Sequence, residues 1–302
     1  SALRLVLRYS QRPQQRSNTL TPAIPADVKP GIYEGIPNEA YHSGPGISKS
    51  GLWTIQSASP AHYKFGVREQ NNAFDFGEAC HLAILEPNRF EATVVRGPDD
   101  RRGNKWKDMV EGCAVNGSLL LTSGDYDGVC SIRDMVHADA WLNSIITGGK
   151  PMVEASAYFK DEVTGELCRV RPDLYREDLG VIVDVKSAQS AHPDTFARAV
   201  VNYGYHAQEA FYSDGWLSHG KPLNGFVFLA FEKKPPYAFA VYELPPAIVE
   251  EGRIMMRKAL DTYHDCRTAD RWPAYSEGVQ PLAFNRWAYR HTEAPIEEDE
   301  AA

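Results

Sequence analysis

The chain has 302 residues, of which 43% are hydrophobic, 11% aromatic and 24% charged, enough apolar side chain for one sizeable core and too ordinary a mixture for a disordered, collagenous or disulfide-built chain. No stretch is long and apolar enough for a bilayer span, the start lacks a secretory cleavage pattern, and Cys80, Cys113, Cys130, Cys168 and Cys266 are odd in number with no C-x-x-C pair, so a soluble cytoplasmic protein with buried reduced thiols is expected. A net charge of -8 counts against a protein that grips nucleic acid by basic surface alone, although cations bound by carboxylates reverse the local sign where a phosphate would sit.

Residues 1–30 carry Arg4, Arg8, Arg12, Arg16 and Lys29 against Asp27 among Gln, Ser and Pro, which reads as a flexible arm. Order is expected to start near GIYEGIPNEAYH. Ser48 then fits the N-cap of a helix that stops before Pro60, and FDFGEACHLAILEP follows as a second helix, apolar almost all round and therefore buried, with His81 inside it. RRGNKWKDMVEG is a basic stretch with one aromatic, leading into helices and loops up to Trp141.

From residue 152 the period changes to two. MVEASAYFK, a turn at DEVTGE, LCRVRPDLY, a turn at REDLG and VIVDVKSA predict a three-stranded meander. One long helix is predicted from about Asp194 to Leu217, with Pro193 at its start and Gly220 just past its end. GFVFLAFE and YAFAVYEL read as strands separated by KKPP, and a last helix fills 246–265. The expected organisation is an arm over 1–30, a single domain over 31–290 and an acidic disordered tail over 291–302, where Glu293, Glu297, Glu298, Asp299 and Glu300 cluster.

In VIVDVKSA the period of two puts Asp184 and Lys186 on one face of an otherwise core-like strand, and charges there must be paired, metal-bound or at the sheet's edge. Asp173 in RVRPDLY can be brought beside Asp184 by the short REDLG turn. Such oxygen ligands, Asp173, Asp184 and the carbonyl of Val185, suit Mg2+ or Mn2+, with two ions expected and Lys186 left to orient or activate a water for phosphodiester hydrolysis. D-x-K alone also arises by chance as a solvated pair. Tyr205, Gln208 and Tyr212 recur at i, i+3 and i+7, along one helix face that could reach the same place. Glu154 either points at the site as an accessory acid or lines an exposed face. Ser48, Lys49, Lys64, Arg101, Arg102, Lys105 and Lys107, with Trp106 to stack or wedge, are the DNA-contact candidates.

A helical His, an Asp, D-x-K and Y-x-x-Q-x-x-x-Y, in that order, resemble the RecB-like branch of the PD-(D/E)XK nucleases. YHSGPGISKSGLW, SPAHYKF, FGEACHLAILEPNRF, RRGNKWK, RVRPDLY and VIVDVKSA make the chain similar to RecE-type (exonuclease VIII-like) exonucleases from about Tyr33 to Tyr242. The resemblance implies an α/β fold, with a restriction-endonuclease-like core of a central mixed β-sheet flanked by helices. It also implies that 31–290 is a nuclease domain, with His81 a metal ligand or organiser and Asp173, Asp184 and Lys186 the catalytic set. Further implied are a 5′-to-3′ exonuclease acting on double-stranded DNA ends, a toroidal homotetramer and a single-strand-annealing, RecT-like partner. The rivals are a catalytically silent DNA-binding relative and a RecB-like module of another DNA-processing or defence system. Cysteine spacing speaks against an iron–sulfur module, and no Walker motif marks a helicase.

Overall fold

Two sheets, and the bend in the hairpin shared between them, set the frame of the molecule. The computed structural model describes residues 24, 27–67, 72–276, 278–282 and 284, so most of the predicted arm and all of the predicted acidic tail lie outside the described residues. In chain order the strands are β1 (Gly31–Tyr33), β2 (Ile47–Ser48), β3 (Val94–Arg96), β4 (Leu119–Leu121), β5 (Pro151–Val153), β6 (Ser156–Lys160), β7 (Leu167–Val170), β8 (Leu174–Arg176), β9 (Val181–Ala188), β10 (Gly225–Glu232) and β11 (Phe239–Tyr242). The helices are α1 (Asn38–Ser43), α2 (Lys49–Ser57), α3 (Pro60–Phe65), α4 (Asn72–Leu85), α5 (Pro87–Thr93), α6 (Asn104–Asn116), α7 (Ser123–Ala138), α8 (Ala140–Thr147), α9 (Pro193–Tyr203), α10 (Tyr205–Leu217) and α11 (Pro246–Ala269). No described helix is long and apolar enough to cross a membrane.

The central sheet has the order β11-β10-β9-β8-β5, with β9 and β10 parallel and the other pairs antiparallel. Because alternate residues of a strand face opposite ways, β9 and β10 feed two cores. Ile182, Phe226, Phe228 and Ala230 pack with Phe196, Val200, Ala207, Phe211, Met256 and Leu260 from α9, α10 and α11. Val183, Val185, Leu229 and Phe231 pack with Ala79, Ala83, Ile84, Val129 and Ile132 from α4 and α7. Helices thus cover both faces of a mixed sheet, the α/β architecture the sequence predicts. Burying one large apolar side chain such as Phe228, fully buried here, contributes about 2–3 kcal/mol.

The predicted meander needs correction. Its first two strands keep one hairpin register, with β5 pairing with β8 and β6 with β7, but each is broken midway. Their outer halves belong to a second sheet of order β1-β6-β7-β2. The break falls at Glu154, whose φ is 47°, and opposite it at Arg171–Asp173. Pro172 supplies no N–H to a ladder. Asp173 is therefore carried by the break and not by a strand. The predicted long helix after β9 is also two helices, because Gly204 adopts φ 66° between α9 and α10. A side chain at 204 would collide with the Trp53 ring, so the position needs glycine on two counts.

Helix starts follow their caps. The Ser48 hydroxyl accepts from the Gly51 N–H at 3.4 Å, and Ser59 accepts from the His62 N–H at 3.3 Å, with Pro60 opening α3. Four of the five cysteines are buried.

Candidate active site

The site forms where β8 stops short of the full length of β9. Register fixes Leu174 against Val183, and continuing it sets Asp173 opposite Asp184, while the Glu154 N–H donates to the Asp173 carbonyl at 3.0 Å. With no strand pairing beyond Leu174, the Val185 N–H lacks a ladder partner. It donates instead to Asp173 Oδ2 at 2.7 Å. In extended backbone the N–H and C=O of one residue leave by the same edge, so the Val185 carbonyl opens towards Asp173 as well.

Asp184 and Lys186 project from β9 towards α10. Lys186 Nζ forms an ion pair with Asp184 Oδ1, and Gln208 Nε2 donates to Asp184 Oδ2. The Lys186 ammonium also stands 5.0 Å from the centre of the Tyr205 ring. That ring stacks on Phe228 at 5.9 Å, so an aromatic wall holds the amine in place. From the opposite helical layer, His81 Nδ1 on α4 reaches Asp173 Oδ1 at 3.5 Å. Two helical layers thus converge on the end of one sheet.

The electrostatics divide the two aspartates. Burial raises Asp184 to about 6, against the pull of Lys186 and with the help of Asp173. Asp173 is lowered despite its burial, because His81, Lys186 and the Val185 N–H all favour the carboxylate. His81 is raised: burial opposes its charge, but the Asp173 carboxylate outweighs it. Lys186 is likewise raised, Asp184 and Asp173 overcoming desolvation. Glu154, joined to Asp173 across the hairpin by its N–H, is raised by burial and then by the Asp173 carboxylate, and Arg89 stands 4.0 Å from its own carboxylate. Tyr212 is raised well above its ordinary value by burial and then by Tyr41, Asp184 and Asp173.

No three His, Cys, Asp or Glu side chains among the described residues are arranged as a metal cage. The donors brought together are two carboxylates, an imidazole and the Val185 carbonyl, a set that suits a hard divalent cation. Asp184 Oδ1 is buried and takes the Lys186 ammonium as its partner, so the carboxylate is held in the charged arrangement that such a cation would also favour. The residues fit such an ion.

The candidate DNA contacts separate. Lys49 joins the site: its ammonium donates to the Tyr203 carbonyl at 2.8 Å, and burial followed by the charge of Lys186 lowers it to about 7. Ser48 serves as the cap of α2. Lys64 stands over Trp272 at 5.1 Å in a separate cavity. Arg101 pairs with Asp125 and lies over Trp106, Arg102 pairs with Asp100, and Lys105 and Lys107 are exposed on α6. The structure groups Arg101 and Trp106 around a cavity of about 380 Å³, which none of the residues around Asp184 lines.

Two residues escaped sequence reading. Arg171 sits 4.0 Å over the Tyr41 ring and donates to Ser156 Oγ at 2.8 Å and to the Ile36 carbonyl at 3.0 Å. Its one signal is the period-two series Arg169, Arg171, Asp173. Glu209 follows Gln208, is buried with Oε2 unpartnered, and is raised to about 8 by burial, then Glu243 and Asp184. A carboxyl raised above its ordinary 4.5 favours folding below that value and loses the contribution as pH climbs to 8. Glu209→Gln should therefore match the parent near pH 4 and exceed it by roughly 3–5 kcal/mol at pH 9. Thermal melts at the two pH values measure the difference; an equal gap at both would refute it.

The sequence matches the PDDEXK-like domain of unknown function (DUF3799) over residues 56–283. The fold is similar to the crystal structure of a candidate exonuclease from Eubacterium rectale, with a TM-score of 0.54 and 16% identity over 86% of this chain and 99% of that one. A second solved structure, SSO0001, is 15% identical over 65% of this chain and 87% of its own, with a TM-score of 0.28. No curated protein matches. With the family's match spanning most of the chain and the Asp–Asp–Lys set standing at the sheet's end, the chain belongs to the PDDEXK-like DUF3799 family.

Proposed function

We propose that the protein is a metal-dependent exodeoxyribonuclease that hydrolyses linear double-stranded DNA from its ends. The observation that carries this reading is the convergence of Asp173, Asp184 and Lys186 at the unpaired edge of β9, in a chain of PDDEXK-like fold.

A divalent ion, Mg2+ or Mn2+, held by Asp173, Asp184, the Val185 carbonyl and His81 would polarise the phosphoryl group and make a neighbouring water more acidic. Gln208 fixes the rotamer of Asp184, and the Val185 N–H fixes that of Asp173. Lys186, held between Asp184 and the Tyr205 ring, is placed to orient the attacking water and to meet charge growing on the phosphate. Lys49 adds a second amine near Lys186. Glu154 stands as an accessory acid whose raised pKa lets it hold a proton nearer neutrality than an exposed glutamate.

RecE-type digestion, 5′ to 3′ by a ring-shaped homotetramer that leaves 3′ strands for an annealing protein, is the specific form we favour. The ordered motifs support it. Incubating linear duplex with Mg2+ or Mn2+ should release nucleotides, removing a 5′ label early and a 3′ label late, while a covalently closed circle stays intact. Absence of release with either ion would overturn the hydrolytic reading, and early loss of the 3′ label would reverse the polarity.

A further inference from the structure

On the other side of α2 from the site lies a small cavity walled by three aromatic rings. Tyr63 from α3, Tyr263 from α11 and Trp272 just beyond α11 meet in pairs, with ring centres 5.6 Å, 5.8 Å and 6.1 Å apart. Lys64 and Arg267 complete the lining of a space of about 260 Å³. The walls are fixed from several directions. The Ala61 N–H donates to the Pro273 carbonyl at 3.1 Å, which ties the segment carrying Trp272 onto α3. Arg267 is held by Nε to the buried carboxylate of Glu166 at 2.8 Å.

The lining selects its ligand by chemistry. An aromatic box alone would suit a quaternary ammonium, but two cations in the wall repel one. A purely apolar ligand would leave the exposed Lys64 ammonium with the Trp272 ring alone as its counterpart, while Arg267 stays paired with Glu166. A flat ring carrying an anion satisfies both sets of groups, and the volume, below the range of drug-sized sites, has room for one such ring system. A nucleotide of a single strand has that combination: its base stacks on Tyr or Trp, and its phosphate meets Lys or Arg. Core packing between α3 and α11 accounts for the contacts among the rings but not for the open space beside them, which the exposed Lys64 and Arg267 also line.

Position favours the same ligand. A side chain at Gly51 would press on the Tyr63 ring at 2.8 Å, so Tyr63 lies against that residue. Lys49, two residues earlier and about 200° round the helix, faces Lys186. The cavity and the candidate site therefore lie off opposite faces of the first turn of α2.

We propose that the Tyr63–Tyr263–Trp272 cavity is a subsite for single-stranded DNA, which stacks one unpaired base and sets its phosphate on Lys64 and Arg267. The proposal rests on the nuclease reading for its choice of nucleic acid. Its test uses the full chain carrying Asp184→Asn, without metal, and the fluorescence anisotropy of a labelled twelve-nucleotide oligothymidylate. Trp272→Ala should weaken binding about 10-fold, with Trp272→Phe restoring most of it. Lys64→Glu should weaken it about 5-fold and reduce the slope of log affinity against log salt by about one. Lys64 is exposed, so its variant decides the matter if Trp272→Ala fails to fold. Parent-like affinity in Lys64→Glu, or no binding by the parent, overturns the subsite. If the variants lose binding while the unmutated chain never cleaves duplex DNA, the subsite stands and the hydrolytic reading falls. If the chain cleaves and the variants bind normally, the reverse holds.

Discussion

Asp184→Asn is expected to cut nucleotide release from linear duplex DNA by on the order of 10³-fold, the loss of several kcal/mol of electrostatic organisation at the reacting phosphate. Its effect on stability should be small, and that contrast separates a chemical role from a structural one. The wild-type carboxylate is buried and its pKa is raised to about 6, so its charge is disfavoured by the fold at neutral pH. Asparagine keeps an oxygen facing Gln208 and removes that charge. Lys186 keeps the Asp173 carboxylate as a counter-charge, so no uncompensated ion is left behind. A thermal midpoint within a few degrees of the parent, with activity lost, is the expected pair of results. Unfolding by more than that would mark Asp184 as structural, and retained cleavage would remove it from the reaction.

Lys186→Ala should lower turnover by about 10²–10⁴-fold while a calorimetric titration with Mn2+ at pH 8 still shows binding. The amine contacts Asp184 and the Tyr205 ring, and its role is assigned to water and phosphate, so the carboxylates remain to hold the ion. Removing the positive charge also leaves Asp184 with less to oppose its burial. Its protonation should therefore extend to higher pH, and Mn2+ affinity in the variant should fall more steeply than in the parent on going from pH 8 to pH 6. Loss of Mn2+ binding at pH 8 would mean that Lys186 builds the site and does not act in it.

Much of this site is legible in the sequence, for particular reasons. Asp184 and Lys186 stand out because a strand with valines on one face has no cause to carry charges on the other. Gln208 follows from helical spacing, and the structure brings it onto Asp184. The bend at Glu154 and Asp173 is not legible. Apolar alternation runs unbroken through MVEASAYFK, and only the backbone, with its positive φ at Glu154, shows the hairpin passing from one sheet to the other. Gly204 looks like a tolerated glycine within one helix until Trp53 is seen against it. Glu209 reads as the polar side of α10 because sequence does not show that this side is buried. Lys49 meets Tyr203 across 154 positions of chain, a contact no local pattern encodes.

The missing pairing beside Val185 has a consequence for how this protein can change. A lineage selected for heat resistance alone would gain by lengthening β8, replacing Pro172 with a residue that donates to the ladder and letting two strands zip further along β9. Each such gain would take the Val185 edge and the Asp173 carboxyl out of reach. The opening is a defect by the standards of a sheet, at the place where the proposed chemistry would occur, so thermostable descendants that remain active should draw their added stability from elsewhere, such as the cores around α4 and α11.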